Sequence, residues 1–458
     1  QSESVSNRKT EIIEPSDDVA MPTPRIQWFE PRLALSASFA ADWIVDAMVG
    51  TSCSPHSQPD NAAAQVELTG LLAPQVSPAQ SIGPELSAID SIAQPHSIQT
   101  VAQFQSPHSQ SPLDAAAAIR EQFGIDGSGQ TVAVIDTGIS WDHYAFSEPN
   151  PNGKPLVGYG AGYRVVGGWD FAENDANPYD DGPAGYHGTH VAGIIGSDYS
   201  EHQGVSPGVD LVGLRVFNDN GISKIDWIES ALRWVIDNRT VLENPITTVN
   251  LSLGIFADAA DAAMTRLDDE LQQLRNDGVL VVAASGNSFT ATRPDWLSYP
   301  ASHPLVAAVS SVDSNGTLSS FAQRDDGVFA VPGRNIVSSV PEYVSGYDGR
   351  NDDFQTATGT SMASPQVAGA GVLVRQAMES IGQEATPESI LNHLRQTAET
   401  LTDAVTGATF YRVDLYNAIE SLLGNQTTFP DGSGNGENNN PTTPSHLQWT
   451  GDRTLVVN

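Results

Sequence analysis

The sequence predicts an α/β fold: a mostly parallel central sheet with helices on both faces, preceded by an irregular N-terminal region. Three observations lead there. Apolar, β-branched runs recur along the chain, beginning with TVAVIDTG at 131–138 and continuing at 211–217, 248–253, 279–284, 305–312 and 327–331. Such runs suit strands buried on both faces, the mark of a parallel sheet. Segments with helical spacing of apolar residues, 225–239 and 259–276, alternate with them, as strand–helix–strand units require. The chain of 458 residues is 39% hydrophobic, enough for a sizeable core.

In chain order, residues 1–111 are rich in Ser, Gln, Pro and Ala, with Pro-His-Ser triplets at Pro55, Pro95 and Pro107. That composition predicts disorder or a propeptide without a compact core. Within it, FEPRLALSAS at 29–38 resembles a short N-terminal motif of some large exported bacterial proteins. A short helix is expected at 113–123, then a turn at 127–129 and the first central strand. HGTHVAGIIG, 187–196, reads as a helix opening at its histidine. The Ala-, Val- and Leu-rich run 367–378 reads as a buried helix, and 387–400 and 413–423 as two closing ones. The expected organisation is one domain over 112–424, a Gly/Asn/Pro/Thr-rich linker over 425–444, and a short strand or the start of a further module over 445–458.

The formal net charge is −34, from 55 acidic and 21 basic side chains. This argues against nucleic acid as a partner, which asks for a basic patch. It suits a soluble protein in a medium rich in screening cations. Cys53 is the single cysteine, so no intrachain disulfide forms. No apolar run reaches a membrane-spanning length; residues 33–50 come nearest, interrupted by Asp42 and Asp46. Any export leader is expected to be absent or already removed.

The chemistry gathers around GTSMASPQVAG, 359–369. Ser361 lies at a loop-to-helix junction, where outward N–H groups and the helix dipole favour a developing negative charge. A serine nucleophile needs a base, and the base an orienting acid. His187 opens the HGTH helix, and Asp136 ends the first strand. Taken singly, Asp136 is as readily a turn former, and His187 with His190 invites a metal reading without Glu or Cys at ligand spacing. Together they run Asp, His, Ser, an order that differs from the Ser, Asp, His of α/β-hydrolases and the His, Asp, Ser of chymotrypsin.

These blocks, Asp136-Thr-Gly, His187-Gly-Thr-His-Val-Ala-Gly and Gly359-Thr-Ser-Met-Ala-Ser-Pro, resemble the signature motifs of the subtilisin-like serine proteases, and AASGN at 283–287 adds a fourth. The resemblance spans about residues 112–423. It implies a secreted or cell-surface serine endopeptidase that cuts polypeptide substrates through an acyl-enzyme and needs no cofactor for chemistry. Ser361 would attack, His187 would relay the proton, Asp136 would hold the imidazole, and Asn287 would help to bind the oxyanion. Ser252, Leu253 and Gly254 would pair with an extended peptide on one side, and Asn220 and Gly221 on the other. The primary pocket would be walled by 252–254 and by Ala284, Ser285 and Gly286, with Ser298 at its base. Backbone pairing on both sides implies broad specificity, and a small residue at the base a preference for large apolar side chains. A monomer is expected.

Two departures stand out: Tyr186 occupies a position where glycine is usual, and Gln366 one where histidine is common. The acidic loop ENDANPYDD, 173–181, offers Asp175, Asp180 and Asp181 as candidate ligands for a structural calcium, against a plain solvated turn. The readings from other classes are a catalytically silent domain of the same fold with a binding or structural role, and a metal hydrolase using His187 and His190.

Overall fold

The computed structural model describes residues 111–148, 154–182, 185–255, 265–290 and 297–424, with the backbone of 448–449 and 455–456. The readings for residues 1–110, for the linker and for 259–264 fall outside these. Helix α1, Pro112–Phe123, starts on a Ser111 hydroxyl that accepts from the Asp114 N–H. It carries proline in its first turn and closes on left-handed Gly124. Strand β1, Thr131–Asp136, follows, then β2, Val165–Asp170; α2, His187–Gly196; β3, Asp210–Arg215; α3, Ile225–Asn238; and β4, Ile246–Leu251. Next come α4, Asp268–Asn276; β5, Leu280–Ala284; β6, Ala307–Val312; β7, Phe329–Pro332; β8, Ile336–Ser339; α5, Glu342–Ser345; and β9, Phe354–Ala357. The chain continues through α6, Thr360–Ser380; α7, Pro387–Thr397; β10, Glu399–Thr402; β11, Thr409–Arg412; and α8, Leu415–Leu423.

Nine strands form one sheet in the order β10-β11-β7-β6-β5-β4-β1-β3-β2. All neighbours run parallel except the β10–β11 edge pair. Alternation along the central strands builds two faces. Leu280 and Val282 of β5 join α1, α6, α7 and α8 in one core. Val281 and Ala283 join α3 and α4 on the opposite side. Val132 and Val134 of β1 meet α2, while Ala133 and Ile135 meet α3. Burial of both faces is why these strands read as continuous apolar runs.

The five later expected strands form, with ends displaced by at most two residues. The differences have local causes. The helix expected over 387–400 stops at Thr397, because Glu399–Thr402 pairs antiparallel with Thr409–Arg412. The helix expected from 259 begins, among the described residues, at Asp268. Strand β2 (VVGGWD) was not expected: two glycines interrupt its pattern. The expected lone strand near the C-terminus is two short strands, β12, Gln448–Trp449, and β13, Leu455–Val456, paired antiparallel.

The crossing from β3 to β4 passes from one side of β1 to the other. Beyond the carboxyl ends of the strands at such a reversal lies the natural crevice of an open α/β sheet. Asp136 ends β1, Ser252 follows β4, and Asn287 lies just past β5.

Candidate active site

Asp136 is buried at the end of β1. Its Oδ1 accepts from the Thr137 N–H at 2.7 Å and sits 2.8 Å from Nδ1 of His187, the first residue of α2. The start of α2 presses against the end of β1: a Cβ on Gly188 would stand 2.1 Å from the Gly138 carbonyl oxygen, so glycine is required. Burial alone would lower the His187 pKa. The Asp136 carboxylate, through charge and hydrogen bond, and then the charge of Asp180 outweigh it, so the imidazole stands above the ordinary value of 6.5.

Ser361 lies in the first turn of α6. Its hydroxyl donates to the Ser252 carbonyl at 3.1 Å, and the Ser252 hydroxyl returns a bond to the Ser361 carbonyl at 2.9 Å. The second bond answers a need created by Pro365. Proline has no N–H, so the carbonyl four residues earlier, that of Ser361, loses its intrahelical donor. Asn250, at the end of β4, donates to the Ser252 hydroxyl and accepts from Ser364, fastening the same turn. Gln366 bonds the Met362 and Pro332 carbonyls and stays outside this arrangement.

The Asn287 Oδ1 accepts from both the N–H and the hydroxyl of Thr360, at 2.9 and 3.0 Å. With its oxygen held twice, the side chain presents its NH₂ group, which lies beside Gly359. Thr360 was not singled out in the sequence, since nothing in its spacing links it to residue 287.

The other candidates fall into two groups. Ser298 sits between the expected walls: a Cβ on Gly254 would meet its Cβ at 2.7 Å, and one on Gly286 would meet its Oγ at 2.3 Å. Its N–H donates to the Ser285 carbonyl, next to Ala284. The Ser298 hydroxyl also donates to Oε1 of buried Gln323 at 3.3 Å, so Gln323 joins Ser298 at this position. No motif or spacing singles out Gln323. Leu253 is buried beside these residues. Asn220 and Gly221, by contrast, lie in an exposed turn whose recorded bonds close on Asn218.

The three candidate acids of the 173–181 loop have separate partners. Asp175 accepts from the Asn177 N–H. Asp181 lies 3.6 Å from Arg215, which also pairs with Asp170, with Glu173 at 3.4 Å and with Asp219 at 2.6 Å. Asp180 is fully buried and bonded to Tyr186 and Thr189. A buried guanidinium thus gathers four carboxylates at this corner, and among the described residues no three metal-ligating side chains cluster. His190 turns away from His187: its Nε2 bonds the Ile336 and Gln355 carbonyls, and burial pushes its pKa down to about 4. The paired-histidine metal reading therefore has no geometry. Arg215→Met leaves Asp170 buried and uncompensated, and is expected to destabilise the fold by about 3–5 kcal/mol in urea unfolding.

A family model described as the subtilase family matches residues 127–436. The chain belongs to the subtilase family. The subtilase is 32% identical over 297 residues to a thermophilic serine proteinase of Bacillus sp. (strain AK1), a match covering 64% of this chain and 62% of that protein. That is less than two thirds of the relative's length. It is 32% identical over 333 residues to an alkaline protease of Alkalihalobacillus alcalophilus, covering 72% of this chain and 73% of that one. Among solved structures, the prenylagaramide maturation protease PagA superposes with a TM-score of 0.52 at 24% identity, over 68% of this chain and 98% of that one. That likeness concerns the fold alone.

Proposed function

We propose that this subtilase is a serine endopeptidase that hydrolyses polypeptides through Asp136, His187 and Ser361, with Asn287 and the Ser361 N–H receiving the oxyanion. The observation that carries this reading is the 2.8 Å bond between the Asp136 carboxylate and His187 Nδ1. It leaves Nε2 as the proton acceptor on an imidazole whose orientation is fixed. When a peptide binds, the Ser361 hydroxyl leaves the Ser252 carbonyl for Nε2 and attacks the scissile carbonyl. The proton passes to His187 and then to the leaving amine, and water repeats the cycle on the acyl-enzyme. Ser252, Leu253 and Gly254 receive one side of the extended chain. Gly254, Gly286 and Ser298 shape the slot for the residue before the cut, taking large apolar side chains within a broad range.

The acidic composition supports action outside the cell, and no helix among the described residues is long and apolar enough to cross a membrane. The test is labelling with a serine-directed phosphonate fluoride. One adduct, mapped to Ser361 by mass spectrometry, is the expected result; a folded chain left unlabelled would refute the proposal. Asn287→Ala is expected to lower kcat by about 10²–10³-fold, as loss of one oxyanion donor does, with KM little changed, and to lower the thermal midpoint as well, because the Thr360 N–H and hydroxyl lose their acceptor.

A further inference from the structure

Asp180 is a buried carboxylate that the proton relay does not use. It is 0% exposed. Its Oδ1 accepts from the Tyr186 N–H at 2.9 Å, and its Oδ2 from the Thr189 N–H at 3.0 Å and the Thr189 hydroxyl at 2.6 Å. The backbone groups it grips therefore flank His187 on both sides. Helix α2 receives no side-chain cap from Tyr186. Asp180 supplies the missing acceptor from a loop outside the helix, with the charge that a helix N-terminus favours.

Tyr186 itself has φ +96°, a conformation that costs a bulky residue about 1–3 kcal/mol and persists only where its surroundings impose it. The bond from its N–H to Asp180 is one such constraint. The loop is also anchored to the end of β1. The Ile139 N–H donates to the Pro178 carbonyl at 2.9 Å, the Gly188 N–H to the Thr137 hydroxyl at 2.8 Å, and the Ser140 N–H to the Thr189 hydroxyl at 2.9 Å. The two chain segments that carry Asp136 and His187 are thus joined through Asp180 and Thr189 as well as through their own contact.

We propose that Asp180 is a positioning residue for the base: it fixes the first turn of α2 against the end of β1, so that His187 meets Asp136 in the productive orientation. This rests on the peptidase reading above. Asp136 from β1, Asp180 from the loop and His190 from α2 are the titratable groups that act on His187. Tyr179, Tyr186 and Tyr343 of α5 surround Asp180. Of these, Asp136 and, above the value of about 6 to which burial raises its own carboxyl, Asp180 favour the imidazolium, so removing either charge lowers the pH at which His187 becomes a base.

The test compares Asp180→Asn with Thr386→Ala, which removes the side-chain cap of α7. Asp180→Asn keeps the shape but turns an NH₂ group toward donors. It is expected to lower kcat at least tenfold with KM within twofold, and to move the midpoint of the kcat/KM–pH curve downward. Thr386→Ala is expected to lower the thermal midpoint and leave both readouts unchanged. A folded Asp180→Asn protein with unaltered kcat and pH midpoint would overturn the inference. If Asp180→Asn does not fold, Thr189→Val, which removes the hydroxyl linking Asp180 to the Ser140 N–H but leaves the Asp180 charge in place, decides by the fall in kcat at unchanged KM. Absence of hydrolysis by the unsubstituted chain would sink the peptidase reading and this inference together, whereas normal hydrolysis with an unresponsive Asp180 would sink this inference alone.

Discussion

Ser361→Ala is expected to lower turnover by about 10⁶-fold, the scale on which loss of a triad nucleophile acts when base and acid have nothing left to activate. The change removes one oxygen from the first turn of α6 and also the bond from that hydroxyl to the Ser252 carbonyl. The reciprocal bond, from the Ser252 hydroxyl to the Ser361 carbonyl, remains. The fold should therefore be nearly unaffected, and peptide binding should survive while chemistry stops. Single-turnover hydrolysis of a peptide substrate measures the first effect, and equilibrium binding of the same peptide the second. A variant retaining more than about a hundredth of the turnover would exclude Ser361 as the nucleophile, because residual triad-independent catalysis lies orders of magnitude lower.

Asp136→Asn is expected to cost about 10⁴-fold in kcat. The side chain keeps its size, but its NH₂ group now faces Nδ1. The imidazole then places its hydrogen on Nε2, where it cannot accept the serine proton. The pH profile should change as well. In the unsubstituted protein, burial pulls the His187 pKa down, and the charge and hydrogen bond of Asp136 bring it above 6.5. His187 must be neutral to serve as base, so kcat/KM rises with pH through that elevated value. Without the carboxylate, burial dominates and the midpoint moves to lower pH. A stopped-flow pH series on both proteins checks the sign: an upward shift would contradict the electrostatic account.

The sheet was legible because each central strand is covered twice. Val281 and Val282 point into different cores, so neither face needs a polar residue, and the run stands out. The hairpin β10–β11 was not, since an edge pair with mostly partly exposed side chains (ETLT, TFYR) carries no such pattern. At the site, Asp136, His187, Ser361 and Asn287 were readable because their chemistry fixes their neighbours in sequence. Thr360, Gln323 and the contacts of Asp180 were not. Each acts through a partner held close only by the fold: residue 287 lies 73 positions from Thr360, and residue 298 lies 25 from Gln323. The acidic loop reads in sequence as a set of ligands for a cation; in the fold two of its acids, Glu173 and Asp181, lie 3.4 and 3.6 Å from Arg215, which stands on a different strand.

The proline in the sixth position of α6 has a further consequence. By leaving one carbonyl to be served from the residue after β4, it makes a single side chain, that of Ser252, common to two structures: the turn bearing the hydroxyl and the segment proposed to receive a peptide. Changes that reshape that segment around residue 252 would therefore disturb the reactive turn at the same time. On the peptidase reading, altering specificity without altering turnover would have to begin elsewhere, at a side chain such as Gln323, which meets Ser298.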